Sequence, residues 1–212
     1  LYSSARNQYL LKRIRRILGR TVRTLQMQLQ KGSFLPEHFE MSFSMLEDLD
    51  AVNIALTGEE KMKLRGRIDR IDTCEEDDVV YVKVIDYKSG SRKFDLAALY
   101  YGLQLQLVVY MNAAVEIEQK KHPGKKVVPA AMLYYHIADP MIEDGQTLTP
   151  EQLNQKILQE LKTTGIVNGD DRAVRLLDKE FTGKSDILPI ERKKDGSYSA
   201  YSSVINEEEM TT

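Results

Sequence analysis

Two aspartates and a lysine lie in neighbouring segments with strand character, "GRIDRID" at residues 66–72 and "VIDYKSG" at residues 84–90. Asp86 and Lys88 are two residues apart, so in a strand they point to the same face, with Cα atoms roughly 6 to 7 Å apart. Asp69 in the first segment can lie alongside them. Two carboxylates near a strand end suit Mg²⁺ or Mn²⁺, which could activate water and neutralise the charge on a phosphate. Lys88 could then stabilise a pentavalent transition state or orient the attacking water. The alternative is a strand end with solvated charges.

This chemistry requires the two segments to be paired. The acidic turn at residues 75–78 joins them, and together they predict an antiparallel hairpin. Hydrophobic periodicity predicts helices over residues 6–31, 96–121, 150–163 and 171–178, and further strands over residues 38–45 and 127–137. Thr149 and Pro150 are the expected N-cap and first residue of the third helix. The order of these elements predicts an α/β fold in which a mixed β-sheet is flanked by helices.

The composition is that of a folded protein rather than a disordered one. The chain has 212 residues, of which 42% are hydrophobic and 29% charged, and this suits a single domain with its own core. No apolar run approaches the ~18 residues that a membrane-spanning helix needs. The single cysteine, Cys74, excludes an intrachain disulfide and a cysteine-rich metal site, and it favours a cytoplasmic protein. Because the chain begins at Leu1 rather than Met, we expect a fragment of a longer protein.

Charge is distributed unevenly along the chain. Residues 1–36 contain eight basic residues and no acidic one, so the remainder carries 22 basic and 32 acidic residues, a net charge of −10. Along the first helix an apolar stripe is predicted, and four arginines lie on a separate face: Arg13, Arg16, Arg20 and Arg23. These arginines either form a solvated surface or bind the phosphates of an anionic partner.

The segments "GRIDRID…VIDYKSG" resemble motifs II and III of the PD-(D/E)XK nuclease superfamily, and in particular its RecB-type branch. In "LQLQLVVYM", Gln106 and Tyr110 have the Gln-x-x-x-Tyr spacing of that branch, and at this spacing they share one helical face. The resemblance implies a restriction-endonuclease-like core and a site that binds Mg²⁺ or Mn²⁺. It also implies that the catalytic residues are Asp69, Asp86, Lys88, Gln106 and Tyr110, and that the metal ligands are Asp69, Asp86 and Tyr87.

Two later stretches, "MLYYHIADPMIE" and "GIVNGDDRAVRLLD", resemble the C-terminal nuclease region of AddB-type subunits of bacterial helicase–nuclease complexes. This resemblance implies a DNA exonuclease that acts on DNA ends and single strands during double-strand break repair. It implies an AddA-like helicase subunit as partner, and no membrane. We expect one domain, made of a basic N-terminal helix (residues 1–36), a catalytic core (37–165) and a C-terminal extension (166–212).

The sequence departs from this pattern in two respects. RecB-type nucleases usually carry a histidine metal ligand on a helix before the first strand, but none of the three histidines lies on the N-terminal helix. We expect that ligand upstream of Leu1, with Glu37 or Glu40 as a possible substitute. The cysteines of an AddB-type iron–sulfur cluster are also missing, so we expect them outside this fragment, and the fragment alone could be inactive.

Two other functions are compatible with the sequence. One is a nuclease-like fold that binds DNA or scaffolds a partner without activity, with the N-terminal arginines making the contacts. The other is a stand-alone RecB-type exonuclease of the phage or CRISPR-associated kind.

Overall fold

A six-stranded β-sheet has the predicted hairpin near its centre. A computed structural model describes residues 4–42, 53–55, 61–63, 66–90, 94–143 and 147–210. The strands of this sheet lie in the order β1-β4-β5-β6-β7-β8, and they are β1 (Leu35–Ser42), β4 (Arg67–Glu76), β5 (Val79–Lys88), β6 (Lys126–His136), β7 (Thr164–Asn168) and β8 (Val204–Ile205). Two short strands, β2 (Asn53–Ala55) and β3 (Lys61–Lys63), form a separate antiparallel pair.

The pairing of the central strands confirms both the hairpin and the mixed sheet. Strand β5 pairs with β4 in antiparallel register and with β6 in parallel register. A parallel pair needs a crossover connection, and a helix supplies it between β5 and β6. Strands β7 and β8 were not predicted, and the expected boundary between residues 165 and 166 falls within β7. The last residues of the predicted first strand, 43–45, lie outside the described residues.

In the described part of the chain, five α-helices surround the sheet: α1 (Ala5–Lys31), α2 (Leu96–Tyr100), α3 (Gln106–Lys121), α4 (Pro150–Glu160) and α5 (Asp171–Leu177). Thr149 is the N-cap of α4 and Pro150 its first residue, as expected, and Thr149 also forms a capping box with Gln152. The single helix predicted over residues 96–121 was wrong, because residues 101–105 separate α2 from α3. Gly102 in this connection has a φ of +74°, a left-handed conformation that ends a helix.

The two faces of the sheet carry separate apolar clusters. Helix α3 covers the face that includes Val80, Val82 and Val84. The other face is covered by the C-terminal half of α1, by α5 and by the segment around Ile187 to Ile190. The residues beyond β7 therefore belong to the same core as the rest of the sheet.

Helix α1 does not bury the apolar stripe that its sequence predicts. Leu10, Ile14 and Leu18 are exposed, whereas Thr21 and Thr24 are the buried residues of this helix. Only the later part of the helix, including Leu25, packs on the sheet. Arg16 and Arg20, from the predicted arginine face, instead contact Asp139 just beyond β6. No helix in the described part of the chain is both long and apolar enough to cross a bilayer.

We predict that Gly165→Ala destabilises the fold by about 3 kcal/mol, measured by urea denaturation. Gly165 has a φ of +132°, and a Cβ atom there would lie 2.3 Å from the carbonyl oxygen of Met132 on the neighbouring strand. Gly183→Ala is the matched control, because its Cβ would have no neighbour within 4 Å. Equal stability of the two variants would contradict this account of β7.

Candidate functional site

The hairpin and the parallel crossover bring together the start of β4 and the ends of β5 and β6. Strand β5 ends with Asp86, Tyr87 and Lys88, and Asp69 lies near the start of the antiparallel strand β4. The backbone N–H of Tyr87 donates a hydrogen bond to Asp69 Oδ2 at 2.8 Å, which places the Asp69 carboxylate against the end of β5. The expectation that Asp69 lies beside Asp86 and Lys88 is therefore met by the geometry.

Asp86 and Lys88 share a face of β5 and form an ion pair, with Lys88 Nζ 2.6 Å from Asp86 Oδ2. Gln106, the first residue of α3, lies between them. Its amide oxygen accepts from Lys88 Nζ at 2.8 Å, and its amide nitrogen lies 3.1 Å from Asp86 Oδ1 and 2.7 Å from the hydroxyl of Tyr110. The four side chains make one continuous network between the strand end and the start of α3.

Tyr134 is a member of this site that the sequence pattern did not indicate. The register of the parallel pair places Asp86 opposite Tyr134, and Lys88 Nζ lies 5.0 Å from the centre of the Tyr134 ring. The ring face attracts the ammonium group and limits its movement. The register contains an irregularity between Val82 and Lys83, so counting residues along two strands could not have found this contact.

Asp86 is an unusual carboxylate because it is only 2% exposed. Burial raises the pKa of its carboxyl group, Lys88 opposes that shift, and the nearby Asp69 carboxylate adds to it. Asp86 Oδ2 is buried and accepts no hydrogen bond of good geometry, although the Lys88 ammonium is close. Two neighbouring carboxylates, one of them buried, are a donor set that fits a hard divalent cation.

A buried charge network supports the site from the opposite face of the sheet. Arg70, Asp72 and Lys83 meet there, with Arg70 Nη2 2.7 Å and Lys83 Nζ 2.9 Å from Asp72 Oδ2. Arg70 also donates to the hydroxyl of Tyr87 at 3.3 Å. Burial lowers the pKa of Lys83. Because Tyr87 stands between Asp86 and Lys88, this network holds the backbone that carries both residues.

The predicted arginine face of α1 lies at the same end of the sheet. Arg16 and Arg20 hydrogen-bond to Asp139, just beyond β6, and Arg13 Nε is 3.9 Å from the same carboxylate. Hydrogen bonding from Arg16 lowers the pKa of Asp139. Arg23 is exposed on the helix. Three arginines share one acid, so this part of the site keeps an excess of positive charge.

The two glutamates proposed as substitute ligands lie at different positions along β4. Glu37 accepts a hydrogen bond from the side chain of Thr73, about 13 Å along β4 from Asp69. Glu40 lies at the Asp69 end, where its carboxylate pairs with Arg67 at 2.7 Å. Of the two, only Glu40 is near Asp69.

Comparison with known proteins gives one family. The family model described as the PD-(D/E)XK nuclease superfamily matches residues 1–185. A Lachnoclostridium phytofermentans protein, named as one of the subunits of an ATP-dependent helicase/deoxyribonuclease, is 42% identical over all of this chain, and the match covers 18% of that protein. Proteins of the same name from Clostridium acetobutylicum and Desulforamulus reducens are 38% and 39% identical over 98% and 99% of this chain, again covering 18% of each. The chain thus spans about a fifth of the length of these relatives.

We predict that Asp86→Asn raises the thermal midpoint at pH 7. The pKa of Asp86 is raised by burial, so its ionised form costs stability, and this cost appears as the pH rises through the raised pKa. The difference in thermal midpoint between the variant and the native chain should therefore shrink as the pH falls below that pKa. Thermal melts between pH 4 and pH 8 test this prediction. The control variant is Asp78→Asn, because Asp78 is an exposed residue of the turn between β4 and β5. A variant that is less stable than the native chain at pH 7 would contradict the sign.

Proposed function

The chain belongs to the PD-(D/E)XK nuclease superfamily, and we propose that it hydrolyses phosphodiester bonds in DNA with the help of Mg²⁺ or Mn²⁺. The observation that carries this proposal is the network of Asp86, Lys88 and Gln106, with Asp69 held against the same strand end. It combines a pair of carboxylates and an oriented ammonium group within one site.

The cation would be held by Asp69, Asp86 and the backbone carbonyl of Tyr87. In an extended strand the N–H and C=O of one residue face the same edge, so the Tyr87 carbonyl lies on the edge that faces Asp69. When bound, the metal lowers the pKa of a water molecule and offsets charge on the phosphate. A bound cation would add to the stabilisation that Lys88 gives the buried charge of Asp86.

Lys88 supplies positive charge to the phosphate in the transition state. Its ammonium group is positioned by three contacts, with Asp86, Gln106 and the Tyr134 ring, so little reorganisation is needed when charge develops. Gln106 is the positioning residue, and the contact with the hydroxyl of Tyr110 fixes its amide.

The arginines of α1 are proposed to bind the DNA backbone. Arg13, Arg16 and Arg20 gather around Asp139, next to the strand end that carries the site, and Arg23 is exposed further along the helix. Guanidinium groups bind phosphates through paired hydrogen bonds. Asp139 neutralises one of the three charges it contacts, so the cluster can still attract an anionic strand.

The name that the relatives share suggests the biological setting. We propose that the chain is the nuclease region of a helicase–nuclease complex, working as an exonuclease on DNA ends and single strands beside an AddA-like helicase subunit during double-strand break repair. An iron–sulfur cluster of the parent protein would take its ligands from outside this chain, whose one cysteine is buried. A cytoplasmic location remains a prediction.

We predict that Asp86→Asn and Lys88→Met both reduce Mg²⁺-dependent cleavage of linear DNA by about 100-fold or more. The two variants should differ in metal binding. Asp86→Asn loses a ligand and should bind Mn²⁺ more weakly in calorimetry, whereas Lys88→Met removes a neighbouring positive charge and should bind Mn²⁺ at least as tightly as the native chain.

Lys120→Met on the exposed side of α3 is the matched control, and it should retain cleavage. Near-native cleavage by either site variant would overturn the catalytic assignment. Loss of cleavage with unchanged Mn²⁺ binding in Asp86→Asn would overturn the ligand assignment. A native chain that binds DNA but neither binds Mn²⁺ nor cleaves would favour the inactive DNA-binding alternative.

We predict that the double variant Arg13→Ala and Arg23→Ala binds single-stranded DNA about tenfold more weakly at low salt. The slope of log affinity against log salt should fall by about 1.4, the value for two lost phosphate contacts. These two arginines are chosen because Arg16 and Arg20 would still neutralise Asp139. Removing the exposed Lys193 and Lys194 is the control for net charge, and an equal effect of both double variants would count against a site on α1.

A further inference from the structure

We propose a second metal site, for Zn²⁺ or a similar transition-metal ion, formed by Glu37, His38 and Glu118. One ligand atom from each of these residues lies within 4.8 Å of the others. Glu37 and His38 are in β1, and Glu118 is near the end of α3. Glu118 is twelve residues after Gln106, which is about 18 Å along the helix axis, so the cluster is separate from Asp86.

The backbone of β1 is shaped to bring two consecutive residues to this cluster. Side chains of successive residues in a regular strand point to opposite faces, so Glu37 and His38 could not normally share a site. The pairing of β1 with β4 shifts register between Pro36 and His38. An irregularity of this kind redirects side chains, and it is often found at functional sites. Here it allows both residues to approach Glu118.

Glu118 is the residue that points to a bound cation. Its side chain is 0% exposed. Oε1 lies 3.1 Å from His38 Nε2, whereas Oε2 is buried and accepts no hydrogen bond, with His122 Nδ1 3.4 Å away. A buried carboxylate with an unsatisfied oxygen is costly unless a cation or a hydrogen-bond donor offsets its charge. The carboxylate joins the cluster through Oε1, and its second oxygen lies near His122 and Lys121.

The charges around the cluster agree with a cation position. The ammonium group of Lys121 contacts the Glu37 carboxylate and lies 4.0 Å from Glu118 Oε2. The Lys121 side chain is 42% exposed, so it can move into solvent when a metal ion takes its place. His122, beside Glu118 on the same helix, could support the carboxylate or become a fourth ligand.

The donor set selects the type of metal. One imidazole nitrogen and two carboxylate oxygens suit Zn²⁺ and other transition metals, whereas Mg²⁺ prefers oxygen ligands and retains its waters. The proposed catalytic site contains only oxygen ligands, so the two sites should differ in metal preference. A metal at this position would add coordination bonds to the contacts that already join β1 and α3 through His38 and Glu118.

Zinc binding to an untagged chain that carries Asp86→Asn tests this site without the proposed catalytic ligand. We expect one Zn²⁺ per chain in calorimetry, and a rise in thermal midpoint of about 5 °C at saturating Zn²⁺. Mg²⁺ at the same concentration should produce neither effect. Adding Glu118→Gln to this background should remove both, and His136→Ala, which changes a histidine outside the cluster, should change neither.

Absence of Zn²⁺ binding, or binding that survives Glu118→Gln, would overturn the proposal. His38→Ala provides a second test if the Glu118→Gln variant is poorly folded. The His38 side chain is partly exposed, so truncating it does not open a fully buried position. Cleavage of DNA with Mg²⁺ is measured separately on the chain with Asp86 intact, so failure of the zinc site and failure of the nuclease proposal give different results.

Discussion

The ion pair between Asp86 and Lys88 is the interaction on which the arrangement of the site depends. A carboxylate that is 2% exposed is unfavourable in an apolar sheet, and its position requires a cationic partner two residues along the same strand. Gln106 bonds to both partners, which ties the start of α3 to the end of β5. The parallel pairing with β6 then places the Tyr134 ring against the ammonium group.

A second buried set of charges on the opposite face has a different role. Arg70, Asp72 and Lys83 satisfy one another through charged hydrogen bonds, and Arg70 reaches the hydroxyl of Tyr87. Buried networks of this type add little net stability but restrict the geometry of the groups they contact. The strand end is therefore held from both faces, which suits a site that must keep two like charges close together.

Local sequence patterns predicted which residues of the candidate site are neighbours, although only the family resemblance assigned Gln106 and Tyr110 to that site. Period-two alternation placed Asp86 and Lys88 on one face, the acidic turn indicated the hairpin, and four-residue spacing placed Gln106 with Tyr110. The patterns failed where contacts are distant in sequence or where one residue overrides the periodicity. Leucines continue at helical spacing through residues 96–107, yet Gly102 separates two helices. The stripe on α1 predicted its buried face wrongly, because Thr21 and Thr24 face the sheet and Arg16 pairs with Asp139, 123 residues away, contacts that periodicity along one helix does not reveal.

If the arginines of α1 bind DNA as proposed, the carboxylate of Asp139 affects how a DNA strand would leave the protein. It holds three guanidinium groups in place before any substrate arrives, so less side-chain freedom is lost on contact. It also competes with phosphates for the same hydrogen bonds. In the proposed DNA-binding role, an incoming DNA strand would exchange one anion for another instead of filling an empty basic surface, and each contact would be correspondingly weak. Weak contacts of this kind would favour movement of the DNA past the arginines over its retention.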